Sequence, residues 1–167
     1  MKITLMTGDI TTLHCDAIVN AANCTLLGGG GVDGAIHRAA GRGLLEECSK
    51  IGGCKTGEAV ITGAYDLPCR YVIHTPGPVW NGGNHHEAEK LADCYRNSLT
   101  RAMEKQCRII AFPCISTGVY HFPAQQAAEI AVGIVRNWDQ PFPEEVIFCC
   151  FSERDRKIYD GLIKQEL

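Results

Sequence analysis

Short apolar runs and helix-period stretches alternate along almost the whole chain, and that alternation limits the folds open to it. Residues 2–7, 16–21, 58–62, 70–74, 108–115 and 145–151 read as strands. Helical stretches run from about Asp33 to Ala40, over 42–50, over 87–106, from Pro123 to about 138, and over 153–165. The 16–21 run, Asp-Ala-Ile-Val-Asn-Ala, is apolar enough to be covered on both faces, as parallel strands are. In the 87–106 stretch, Leu91, Cys94, Tyr95, Leu99, Ala102 and Met103 fall on one helical face. Strands alternating with helices predict an α/β domain with helices on both faces of a mostly parallel sheet. The 167 residues suit a single domain spanning 1–167. In such sheets ligands sit at the carboxyl ends of the strands. The loops to read are therefore those after 2–7, 16–21, 108–115 and 145–151.

The loop after 16–21 carries four consecutive glycines, Gly28 to Gly31, between a buried strand and a helix. Such a run loses much backbone entropy on folding. A loop whose N–H groups wrap a phosphate beside a helix N-terminus accounts for it. Gly29-Gly30-Gly31-Val32-Asp33-Gly34 formally matches Gly-x-Gly-x-x-Gly. A dinucleotide fold also needs an acidic residue about 20 positions on, and Ser49 to Gly57 contain none. A nicotinamide-dependent oxidoreductase is thus disfavoured. Asp33 and His37, four apart, project from one helix face. Asn20 and Asn23 close the preceding strand, and an Asn amide, donor and acceptor at once, suits ribose hydroxyls.

The loop Ser116-Thr117-Gly118-Val119-Tyr120 is a second glycine-containing, anion-type turn. Asp9, after the first strand, can accept from an exocyclic amine, and Phe151, ending the last strand, can stack on a base. His14, His74 and the His85-His86-Glu87-x-Glu89 cluster give no metal spacing and read as ordinary structural or solvated residues.

Composition narrows the partners. Sixteen Lys and Arg against nineteen Asp and Glu give a net charge of -3, with no basic run to neutralise a row of phosphates. Duplex nucleic acid is not expected as a partner, and anion binding falls to backbone N–H groups. No apolar run has the length of a membrane helix, and the N-terminus is too short and polar for a signal peptide. A cytoplasmic location with reduced thiols is expected. The ten cysteines include no Cys-x-x-Cys pair and read mostly as small core residues, so no metal is expected.

Taken together, Asn20-Ala-Ala-Asn23 and the stretch from Leu26 through Gly28–Gly31, Asp33 and His37 to Gly41 closely resemble the catalytic segment of MacroD-type macrodomains. Gly8-Asp9-Ile10, His74-Thr75-x-Gly77-Pro78-x-Trp80 and Ile115 to Tyr120 also match family patterns, so the resemblance covers nearly the whole chain. It implies a three-layer α/β/α domain around a mixed sheet. It implies an ADP-ribose-binding hydrolase that acts on ADP-ribosyl esters of protein Glu or Asp and on O-acetyl-ADP-ribose, without a cofactor, with ADP-ribosylated proteins as partners. Asp9 and Ile10 would meet the adenine, with Phe151 flanking it. Gly29, Gly30, Gly31 and Val32, with Ser116, Thr117, Gly118, Val119 and Tyr120, would clasp the diphosphate. Asn23, Asp33 and His37 would surround the distal ribose as the catalytic set. Cys24, Ser152 and His121 depart from the family pattern. A domain that binds ADP-ribose without turnover is the alternative, and the Asn–Asp–His set argues against it.

Overall fold

The computed structural model describes residues 1–165; residues 166 and 167 of the expected single domain lie outside it. Six strands form one sheet: β1 (Lys2–Thr7), β2 (Ala17–Ala22), β3 (Val60–Gly63), β4 (Tyr71–Pro76), β5 (Ile109–Phe112) and β6 (Glu145–Cys150). Five helices accompany them: α1 (Gly31–Ala40), α2 (Arg42–Ile51), α3 (Glu87–Glu104), α4 (Ala124–Arg136) and α5 (Glu153–Lys164). The strand order is β1-β6-β5-β2-β4-β3, parallel throughout except for the antiparallel edge strand β3. The sheet is therefore mixed.

Alternate residues of the central strands feed two cores, as a period of two requires. Ala17, Val19, Ile73 and Ile110 pack toward Leu91, Tyr95 and Leu99 of α3, Ala128 and Val132 of α4, and Tyr159 of α5. Ile18, Ala22, Val72 and Ala111 pack toward Ile36 and Ala40 of α1 and Leu44 and Cys48 of α2. The molecule is thus a three-layer α/β/α domain. On the larger side an aromatic chain, Tyr95–Phe112–Phe148–Tyr159, runs through the core with ring centroids 4.9, 6.2 and 4.9 Å apart. All ten cysteines are free thiols; seven are buried, two are half-buried and only Cys24 is exposed. Burial drives the Cys48, Cys54, Cys94 and Cys107 thiols up to about 11, so they pack as neutral apolar groups.

Several boundaries differ from the sequence expectation for physical reasons. The 108–115 strand stops at Phe112 because Pro113 has no N–H to continue the ladder. The last strand ends at Cys150, which leaves Phe151 beyond the sheet. α1 begins at Gly31, so Asp33 is its third residue rather than its first. A 3-10 turn over Ile10–Thr12, capped by the Asp9 side chain, was not foreseen. Ser152 accepts a hydrogen bond from Asp155 N at 3.2 Å and caps α5, a task that Ser and Asp perform equally well.

The reading of Glu87 as solvated surface is corrected. It is 2% exposed. Its carboxylate accepts from the backbone N–H groups of Asn81, Gly83 and His85 at 2.7, 2.9 and 2.6 Å, tying the 81–86 loop to the start of α3. Burial works against the charge, but the backbone donors outweigh it and bring the carboxyl down to about 2. A depressed carboxyl contributes stability that is fully present above the unfolded value near 4.5 and is lost as pH falls toward 2. Glu87→Gln should therefore lower Tm at pH 7. In thermal melts at stepped pH, the gap to the parent should close between pH 4.5 and 2; a gap unchanged over that window contradicts the assignment.

Candidate functional site

Because β1, β6, β5 and β2 are contiguous and parallel, their carboxyl ends lie side by side on one edge. The four loops singled out from sequence are the ones that leave these ends. Three gaps of about 4.8 Å between strands set the row about 14 Å long. In spatial order it runs from Gly8–Ile10, past Phe151 and the 116–120 loop, to the glycine loop that follows Asn23.

At the β2 end, Asn23 is a brace. Its Nδ2 donates to the Gly28 carbonyl at 2.7 Å, and its Oδ1 accepts from Thr25 Oγ1 at 2.5 Å. Leu26, held at φ 64°, plugs into the core beneath this loop. The chain then passes across the face of α1. A Cβ on Gly29 would lie 3.2 Å from Asp33 Oδ2 and 3.3 Å from Asn23 Nδ2, and one on Gly28 would lie 3.7 Å from the His37 ring. Asn23, Asp33 and His37 therefore converge on one short stretch of backbone. Gly34 makes the convergence possible, because a Cβ there would collide with the Gly29 carbonyl.

Gly30 precedes α1 with no side-chain cap, so the first N–H groups of the helix are not consumed from within. Gly30 and Gly31 face open space, with nothing within 4 Å of where a Cβ would stand. Val32 is half-buried at the start of the helix.

The 116–120 loop turns with its carbonyls inward. Ser116 O accepts from Phe122 N, Gly118 O from His121 N and Tyr120 O from Trp80 N, at 2.9, 3.0 and 2.9 Å. Among the described residues, the N–H groups of Gly118, Val119 and Tyr120 make no backbone hydrogen bond. Ser116, at φ 67°, has a buried Oγ with no hydrogen-bond partner among the described residues. Trp80 packs on Phe122 with centroids 4.8 Å apart and fixes the base of this turn. Gly118 faces open space and Val119 is 85% exposed.

At the β1–β6 end, Thr7 stands opposite Cys150, and Gly8 N bonds Cys150 O at 3.0 Å. Asp9 and Phe151 are thus neighbours just past the sheet. Asp9 Oδ1 accepts from Thr11 N and Thr11 Oγ1 at 2.9 and 2.7 Å, and these bonds hold its carboxyl below the usual range, as an anion. Ile10 is buried beneath it. Phe151, 92% exposed, is an aromatic face standing in solvent.

Beneath Asp33 lies a polar cluster that sequence reasoning missed in part. Asp33 is 4% exposed. Its Oδ1 accepts from Asn20 Nδ2 at 2.8 Å, and His37 Nε2 stands 3.5 Å from the same oxygen, too poorly aligned for a hydrogen bond. Asn20 is fully buried and also meets His74 Nδ1 at 3.1 Å. The expectation that Asn20 touches ribose hydroxyls is corrected: as Asn20 is buried, its amide supports Asp33 from one layer down. His74, read from sequence as an ordinary structural residue, belongs to this cluster. A signal was present: the register pairs Asn20 with His74, two polar residues inside neighbouring buried strands. Burial first, and His37 nearby, depress the His74 imidazole to about 3, so it is neutral. Among the described residues, no group of three or more His, Cys, Asp or Glu side chains is arranged to hold a metal ion.

Comparison with known proteins gives a consistent result. The profile of the macro domain matches residues 19–131. A macro domain-containing protein of Chlorobaculum tepidum is 65% identical over 153 residues, which cover 90% of this chain and 89% of that protein. The ADP-ribose glycohydrolase MACROD2 of Mus musculus is 56% identical over 95% of this chain, which spans 34% of that longer protein. The Trypanosoma brucei macrodomain in complex with ADP-ribose superposes with a TM-score of 0.91 at 46% identity, covering 96% of this chain and 68% of that one. The Oceanobacillus iheyensis macrodomain with ADP gives 0.91 at 44%, covering 97% and 90%.

The close approach at Gly34 yields a direct test. In an open helix Gly→Ala is favourable by about 1 kcal/mol. Here the added methyl meets a backbone carbonyl, and overpacking of that kind costs about 1–3 kcal/mol. Gly34→Ala should lower Tm by several degrees; a Tm at or above the parent's contradicts the packing described.

Proposed function

The chain belongs to the macro domain family, and from that premise we propose that it binds ADP-ribose along the four-loop edge and hydrolyses esters of the distal ribose. The substrates proposed are mono-ADP-ribosyl esters of protein Glu or Asp and O-acetyl-ADP-ribose. One observation carries the reading. A buried carboxylate, Asp33, stands at the end of a row of unspent backbone N–H groups, with Oδ2 turned toward the glycine loop. A site that only held nucleotide has no use for that group.

The assignment along the row follows chemistry. Asp9, ionised and with Oδ1 committed to Thr11, has Oδ2 for the adenine amino group, and Phe151 offers a face for the ring. The N–H groups of Gly29 to Val32, at a helix N-terminus, and of Thr117 to Tyr120 suit the diphosphate. A net charge of -3 is no obstacle, since these are local dipoles rather than side-chain cations. The distal ribose then falls to Asn23, Asp33 and His37. The ADP-ribose and ADP complexes of the Trypanosoma brucei and Oceanobacillus iheyensis macrodomains support the binding half of the reading, and the name of the mouse relative supports hydrolysis.

Hydrolysis adds one water across the ester and releases a carboxylic acid and ADP-ribose, the same products whichever side of the ester oxygen breaks. Asp33 lies in the first turn of α1 and accepts a hydrogen bond from Asn20. Its role in this proposal is to orient the water and the ribose with Oδ2, while the substrate's own phosphate helps to activate the water. Asn23 holds the loop that closes over them, and His37 flanks the carboxylate.

Two substitutions separate binding from turnover. Gly30→Glu introduces no backbone strain, as Gly30 has φ -91° and faces open space. The variant should fold normally yet lose ADP-ribose affinity and turnover together, because a carboxylate enters the diphosphate site. Asp33→Ala should keep ADP-ribose affinity nearly intact while kcat on a mono-ADP-ribosylated acceptor falls about 10²–10⁴-fold, the worth of a positioned acid–base group. Calorimetry beside single-turnover rates reads both. Near-parental kcat in Asp33→Ala removes the catalytic assignment, and equal loss of affinity and rate makes Asp33 a ribose anchor.

A further inference from the structure

We propose that His74 is a positioning residue for this site, acting through the Asn20 amide to orient the Asp33 carboxylate. The effect on rate rests on the hydrolase reading above, whereas the orientation itself can be measured without substrate.

The direction of each hydrogen bond follows from counting protons. Thr62 Oγ1 has one hydrogen and gives it to the Gly63 carbonyl at 2.9 Å. Toward His74 Nε2, 3.0 Å away, the same hydroxyl can only accept, so the imidazole proton sits on Nε2. Nδ1 is then a bare lone pair. The group that meets it at 3.1 Å must be the NH2 end of the Asn20 amide. The second amide hydrogen goes to Asp33 Oδ1 at 2.8 Å. A flipped Asn20 would set its oxygen against the Nδ1 lone pair and the Asp33 carboxylate at once. The polarity therefore runs from a backbone carbonyl on β3, through β4 and β2, to the first turn of α1.

The fold builds this line deliberately. The parallel register sets Asn20 of β2 directly beside His74 of β4, on the α1–α2 face of the sheet. Asn20, Thr62, His74 and Asp33 are all buried, so water does not substitute for any link. The groups that face His74 are Asn20 on β2, Thr62 on β3, His37 on α1 with ring centroids 6.4 Å apart, and the Cys48 thiol on α2, 3.9 Å from Nε2. None of them favours an imidazolium, so the line keeps its direction through neutral pH. With Oδ1 held, Asp33 presents Oδ2 to the glycine loop in one orientation. Fixing a reacting group in this way is worth up to about 100-fold in rate.

The test uses His74→Leu, which removes the acceptor for Asn20, and His74→Gln, whose amide can accept from Asn20 and donate to Thr62. Thr62→Val, which frees the imidazole tautomer, serves as the milder probe if His74→Leu does not fold. The first readout is the carboxyl-carbon NMR titration of Asp33 in ligand-free protein, assigned by its absence in Asp33→Asn. The second is kcat beside calorimetric affinity for ADP-ribose.

In His74→Leu the Asp33 midpoint should rise by about half a unit or more, because the Asn20 amide, without its His74 partner, is free to turn and no longer keeps its donor on Oδ1. Its kcat should fall about 10–100-fold with affinity unchanged within about twofold. His74→Gln should recover both, and Thr62→Val should shift both in the same direction by less. An unmoved Asp33 midpoint in the folded His74→Leu or Thr62→Val variant overturns the proposal, whatever the rate. A moved midpoint with parental kcat overturns the positioning role. A moved midpoint in a protein whose parent shows no turnover upholds the orientation and overturns the hydrolase reading instead.

Discussion

A carboxylate cannot be left alone in a protein interior, and Asp33, at 4% exposure, is the group around which this edge of the molecule is arranged. It is stabilised from three directions. The first turn of α1 lends its positive end. Asn20 donates from below at 2.8 Å. The glycine loop covers it without placing a side chain on it, because Gly29 has none and Gly34 lets the loop approach α1 closely. One carboxylate oxygen, Oδ2, is thereby kept facing the glycine loop.

The same economy governs the rest of the edge. In the proposed reading, anion binding in a chain of net charge -3 falls to N–H groups at a helix start and in a turn, which need glycine rather than lysine. Parallel pairing of β1, β6, β5 and β2 gathers their loops on one side, so four segments distant in sequence form a single row. The aromatic chain on the opposite face of the sheet and the Glu87 clamp at the start of α3 take no part in that row. They hold the scaffold on which it stands.

The alternation of strands and helices, the four loops that leave the parallel strands on one edge and the placing of Asp33 and His37 on one helix face were legible in the sequence, because each is a matter of local pattern and spacing; the grouping of Asn23 with them came from the family resemblance alone. What was not legible depends on pairing between distant strands. Asn20 was read as a ligand contact because a buried strand does not announce which face each residue takes; its partner is set by the β2–β4 register. His74 looked like a single histidine in an apolar run for the same reason. Glu87 sat beside Gly82, Gly83 and Asn84, a composition that suggests solvent, yet the loop folds its N–H groups onto the carboxylate. Phe151 was placed inside the last strand, and only the end of the ladder at Cys150 shows that it stands outside.

The central claim is that backbone donors on this edge receive a diphosphate while Asp33 attends its distal end. Amide NMR during an ADP-ribose titration tests it most directly. The account predicts that the largest shifts fall on the N–H groups of Gly29 to Val32 and of Thr117 to Tyr120, with Asp9 and Phe151 following, and that Asn81, Gly83 and His85 around Glu87 stay still. Saturable shifts centred elsewhere, such as between α4 and α5, or no shifts at millimolar ADP-ribose, would contradict it.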